Sequence, residues 1–220
     1  SRRQRQMCIR DRNKPLEYKT FLNRIFSALN IVLLPIVVGM FFMSDSMILT
    51  AGGEQYIAGD AALKVLSVAT LFAIYASLFT NCVLIVNRQE KLCLKATVIS
   101  AIVNVGLNFV LMPTLGMIGA AITTVIAELV NCMMQMHFSK AFFDWRTLEL
   151  KPIVSCICGS AFIGIICLLC NGLFHSSLMK MACAVVLSAL AYMITLIVMR
   201  NPYATAAMDV IQKRMRKNNG

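Results

Sequence analysis

Six stretches of this chain, residues 25–43, 65–86, 96–112, 117–136, 153–174 and 181–199, are each about as long and as apolar as a bilayer-spanning helix requires. No feature constrains the fold more. Hydrocarbon offers no water to backbone N–H and C=O groups, so a segment that crosses it alone must satisfy them internally, as a helix does. The fold class that follows is all-α, a polytopic membrane bundle of six transmembrane helices. Composition agrees: 59% of residues are hydrophobic and mean hydropathy is +0.74, against roughly 45–50% apolar usage in soluble domains.

The third and fourth spans are separated only by Pro113, Thr114, Leu115 and Gly116, which dictates an antiparallel membrane hairpin. The fourth span opens with small residues at the spacing that lets helix backbones approach in lipid. Gly116, Ala120 and Thr124 form one row, with Gly119 and Thr123 beside it and Ala127 above. Counting outward from Leu115 places Asn108 at nearly the depth of Thr123, and Asn104 within about two residues' rise, roughly 3 Å, of Glu128. A charged residue at mid-span costs about 2.5–3.5 kcal/mol on insertion scales, so Glu128 is expected to face protein or a water-filled cavity. Two readings stay open for it: a proton or cation site in a transport cycle, or a protonated hydrogen-bond partner of Asn104 that holds the hairpin together.

The net charge of +11 does not point to nucleic acid, because the basic residues sit at the ends of the apolar runs instead of forming a groove interleaved with aromatics. They report topology. With the first span running outward, fourteen Lys and Arg beyond residue 12 are cytoplasmic and two, Lys64 and Lys180, are external. The C-terminus is then cytoplasmic.

Eight of the nine cysteines lie in or beside the spans. Cys167 and Cys170 share a helix face and would be the pair to test for metal or redox chemistry, but the two histidines, His137 and His175, fall at opposite membrane faces. The cysteines therefore read as small hydrophobes, with no metal and no cofactor expected. No phosphate-binding glycine loop, nucleophile elbow or zinc-protease helix occurs, so nothing argues for an enzyme.

The order Asn104-x-x-x-Asn108, apolar run, Pro113, glycine-containing turn, Gly119-Ala-Ala-Ile-Thr-Thr and Glu128 resembles the C-terminal half of polysaccharide flippases. Their superfamily also holds multidrug and toxin extruders and lipid II flippases. The resemblance covers residues 21–140 and runs on more weakly to 200. It implies a fragment of a two-lobed transporter of 12–14 helices, with residues 13–140 in the C-lobe core and 141–200 as an appended helix pair. Its partners would be membrane lipid, a lipid-linked oligosaccharide and the missing N-terminal half of the same chain. The implied task is to move undecaprenyl-pyrophosphate-linked oligosaccharide across the bacterial inner (plasma) membrane by alternating access, for polysaccharide or lipopolysaccharide biosynthesis. Gly53 and Tyr56 would match a short re-entry, and residues 87–91 a basic loop.

Within that frame the expected ion-coupling or cavity-lining residues are Glu128, Asn104, Asn108 and Asn81. The helix-packing residues are Gly116, Gly119, Ala120 and Thr124. Such flippases are expected to meet pyrophosphate with cations facing the cavity, whereas this chain offers only Arg24 and Lys95, near the cytoplasmic ends, as headgroup contacts. A multidrug or toxin extruder and a non-transporting scaffold remain alternatives.

Residues 1–12, SRRQRQMCIRDR, resemble translated sequencing-adapter read-through, which would be set aside from fold reasoning and would leave the natural start outside this sequence. Pro35 and Gly39 interrupt the first span, as hinge points or as passively tolerated breaks. Trp145 beside Arg146 suits the headgroup layer. Asn201 and Pro202 read as a helix N-cap and first helical residue, opening a basic amphipathic tail over 201–220.

Overall fold

A computed structural model describes residues 15–142, 150–203 and 205. Among these there is helix and short connection, and no strand. The order is α1 (Pro15–Phe42), α2 (Ser44–Ala51), a 3-10 turn (Glu54–Gly59), α3 (Asp60–Leu78) continued by a π-helical turn (Phe79–Leu84), α4 (Glu90–Ser139), α5 (Leu150–Leu173) and α6 (Ser177–Val198). Residues 1–12, Trp145 and the tail beyond 205 lie outside the described residues.

Among the described residues, five helical stretches are long and apolar enough to cross a membrane: Thr20–Phe42, Glu54–Leu84, Glu90–Ser139, Lys151–Leu173 and Ser177–Val198. The third would measure about 75 Å if straight, more than twice the hydrocarbon thickness. It is not straight. Gly116 has φ 57° and ψ −131°, a conformation open essentially to glycine alone, and there the helix turns back on itself. The expected third and fourth spans are its two legs. Adding a Cβ at this point is expected to cost about 1–3 kcal/mol, so Gly116→Ala should lower the unfolding temperature of the detergent-solubilised protein; an unchanged melt would mean the bend tolerates an ordinary backbone.

Large apolar side chains stand outward, among them Phe109 at 79% exposure, Val198 at 74% and Leu173 at 71%. A surface of this kind is stable against acyl chains and not against water, which with the helix lengths makes the chain a helical membrane bundle.

The described residues divide into two compact units. One holds Phe26 and the described residues before it, with those from Ala58 to Leu148; the other holds Ser27–Ile57 and the described residues from Glu149 onward.

In the second unit α5 packs on α6 and α2 on α6. Its core gathers Met43, Cys156, Ile163, Cys167, Cys170, Ala184, Tyr192 and Leu196. Cys167 and Cys170 are thus buried in an apolar cluster. Two long-range hydrogen bonds here reach backbone carbonyls: Tyr192 donates its hydroxyl to the Ile31 carbonyl at 2.9 Å, and Asn171 its side-chain amide to that of Phe42 at 2.9 Å. Removing the hydroxyl with Tyr192→Phe should cost about 0.6–2 kcal/mol, read as a lower melting temperature without loss of membrane insertion. An unaltered melt would mean that the bond adds nothing to stability.

α1 runs as helix through Pro35. Pro35 and Gly39 line an open apolar cleft of about 600 Å³ together with Met43, Cys167, Ser188 and Tyr192. Asn201 is fully buried, and its side-chain oxygen accepts the Tyr203 N–H at 3.1 Å, so it caps the helical turn that starts at Pro202. Its amide donates to the Ser155 hydroxyl at 2.6 Å, tying the cap to α5.

A polar hairpin as the candidate functional site

The first unit is built from α3, its π turn, α4 and the opening turns of α1. α3 packs along α4. The legs of α4 close tightly because Gly119 presents no side chain: a Cβ there would overlap the Leu111 carbonyl oxygen and stand 2.8 Å from its carbon. Gly119, Ala121, Thr123 and Ala127 are buried. Ala120 and Thr124 flank this contact half-buried, and Gly116 lies exposed in the bend. The close contact runs through Gly119, Thr123 and Ala127, beside the expected row of Gly116, Ala120 and Thr124.

Farther from the bend one hydrogen bond crosses between the legs. Ser100 donates its hydroxyl to the Ala127 carbonyl at 2.7 Å, and both residues are buried. Sequence reasoning missed Ser100; the available signal was a lone hydroxyl in an apolar run, opposite the small residues of the second leg. This bond sets Glu128 at the depth of Ser100, one helical turn, about 6 Å, from Asn104.

Asn104 is not paired with Glu128 across the legs, which was one of the two readings open for that carboxylate; the asparagines and threonines pair along their own legs instead. Asn108 donates its amide to the Asn104 side-chain oxygen at 2.6 Å and to the Asn104 carbonyl at 3.1 Å. Thr123 and Thr124 both return their hydroxyls to the Ala120 carbonyl, at 2.8 and 2.9 Å. The reason is geometric: groups four residues apart on one helix are already neighbours, whereas pairing across the legs needs matched depth and rotation together. Glu128 is half-buried and has no hydrogen bond or ion pair among the described residues.

Asn81 sits in the π turn, exposed, with its amide bonded to the Ser77 carbonyl at 2.8 Å and hydroxyl at 3.0 Å. π-helical turns leave carbonyls free for other donors, and the Cys82 carbonyl accepts the Tyr18 hydroxyl at 2.7 Å. Phe26 stacks on Tyr75, ring centroids 5.5 Å apart, so α1 is held to α3 at two points. Arg24 and Lys95 are exposed on α1 and α4. Gly53 lies in the bend after α2, with Tyr56 exposed in the 3-10 turn.

Long apolar helices, a tight hairpin and a polar set placed at mid-span define a multi-pass helical membrane protein. Comparison with known proteins adds two distant relatives. The chain is 25% identical over 138 residues to an uncharacterized membrane protein of Methanocaldococcus jannaschii, covering 63% of this chain and 27% of the relative. It is 22% identical over 131 residues to the probable low-salt glycan biosynthesis flippase Agl15 of Haloferax volcanii, covering 60% of this chain and 28% of the relative. The chain thus spans little more than a quarter of the length of the curated relatives it matches. No family model and no solved structure matches it.

Proposed function

We propose that this chain belongs to a membrane flippase that moves a lipid-linked oligosaccharide between leaflets, and that Glu128 couples the movement to a proton or cation. The observation that carries the reading is the half-buried carboxylate itself, held at mid-span on a tight hairpin with no protein partner among the described residues. An acid in that position costs folding energy that only a role beyond packing would repay. The relative named as a glycan biosynthesis flippase supports the class of cargo. A sugar head does not cross hydrocarbon unaided, so a polar cavity must open to each side in turn while the lipid tail stays in the bilayer. In this reading Asn104, Asn108 and Asn81 line the cavity, Gly119 and its neighbours keep the hairpin rigid, and Arg24 and Lys95 meet a phosphate headgroup at the cytoplasmic face. The carrier is an undecaprenyl pyrophosphate in a bacterial inner membrane, with the C-terminus cytoplasmic. Transport belongs to the full-length protein, in which an N-terminal lobe of the same chain rocks against this part.

The test is complementation. The full-length gene is expressed in a bacterial mutant that lacks its lipid-linked glycan flippase and accumulates the precursor on the cytoplasmic leaflet. Restored surface glycan and loss of the accumulated precursor are expected. Normal membrane insertion without restoration, in a strain that gains resistance to cationic drugs, would replace this reading with a drug extruder.

A further inference from the structure

The second leg of α4 carries polar residues that the hairpin contact does not use. Thr124, Glu128, Asn131, Gln135 and Ser139 follow one another at intervals of four, three, four and four. At about 100° per residue they fall within roughly 80° of arc, a single line along the helix. From Glu128 to Ser139 the line is about 16 Å long, half the hydrocarbon thickness. It lies on the covered face: Gln135 is 1% exposed and Ser139 fully buried, while Met133, on the opposite face, is 61% exposed.

The bonding along this line is incomplete at its buried end. Gln135 donates its amide to the Asn131 side-chain oxygen at 3.4 Å. The Gln135 side-chain oxygen and the Ser139 hydroxyl, one turn apart, are buried and have no hydrogen-bond partner among the described residues. Polar residues that serve as interhelical glue are paired; an unpaired amide oxygen and an unpaired hydroxyl on one buried line offer an acceptor and a donor to water, which fills polar sites offering two or more partners.

We infer that this face of α4 is a hydrated track that brings water, and the proton it carries, to Glu128 from the Ser139 end of the helix. The track gives the proposed coupling residue access from one side of the membrane, and in that purpose it rests on the proposed function. Its existence does not.

The test uses the full-length protein in inside-out vesicles, with native cysteines replaced by alanine and single cysteines at Asn131→Cys, Gln135→Cys and Met133→Cys. A small membrane-impermeant methanethiosulfonate cation should label the first two at least tenfold faster than the third. Equal, slow labelling at all three would overturn the track. Should the cysteine-free protein not fold, the native protein is treated with a water-soluble carbodiimide and Glu128 modification is read by mass spectrometry. Gln135→Leu, an apolar plug, should then slow the modification at least tenfold, and an unchanged rate would overturn the track. Labelling in a protein that fails the complementation assay would keep the track and remove the flippase reading; complementation without labelling would do the reverse.

Discussion

Gly119→Leu is expected to abolish the folded hairpin. At this position even a Cβ overlaps the Leu111 carbonyl oxygen, and what it meets is backbone on the other leg, which cannot rotate away as a side chain would. Overpacking a well-filled site costs about 1–3 kcal/mol when side chains can adjust, and a leucine against a carbonyl exceeds the upper end of that range. The legs would be forced apart, and the Ser100 bond to Ala127 would break with them. The expected result is loss of the monodisperse peak in detergent gel filtration and a sharp fall in membrane yield. Gly106→Ala is the matched control, since a Cβ at Gly106 meets nothing within 4 Å; it should leave yield and melting unchanged. Wild-type behaviour of Gly119→Leu would mean that the legs are not in backbone contact.

On the proposed function, Glu128→Gln in the full-length protein should cut transport at least tenfold, about 1.4 kcal/mol in barrier terms, while expression stays as in the wild type and the melting temperature is unchanged or higher, since the cost of the mid-span acid is removed. The substitution keeps the size of the side chain and removes its charge and its ability to exchange a proton. Because Glu128 has no bond or ion pair among the described residues, its replacement breaks no contact of the hairpin. A purely structural carboxylate predicts the opposite pattern, in which melting falls and transport per folded molecule does not. Asn104→Ala separates the roles further. It removes the shorter of the two bonds donated by the Asn108 amide, leaving the one to the Asn104 carbonyl, and should lower stability by about 1 kcal/mol, whatever happens to transport.

Much of the architecture was legible in one dimension. Each expected span appears as helix, and Pro113 to Gly116 marks the reversal within α4. The Asn201 cap was also readable, because it depends on residues near one another in the chain. The polar partners were not. Asn104 was expected opposite Glu128 and is bonded to Asn108. Ser100 and Gln135 are single polar residues in apolar runs and Ser139 lies just past the end of one, yet one crosses the hairpin and two mark its buried polar line.

The sequence by itself determined that this is a membrane protein, where its helices run and where the central one turns, because hydrocarbon imposes length, apolarity and internal hydrogen bonding on every span. Only the tertiary structure decided which faces meet. It joined the Ile31 and Phe42 carbonyls of α1 to Tyr192 and Asn171, and it turned Gln135 and Ser139 inward with Met133 outward. In lipid an apolar face is equally content against acyl chains or another helix. Hydropathy therefore does not choose a helix's rotation, and close packing and a few hydrogen bonds do.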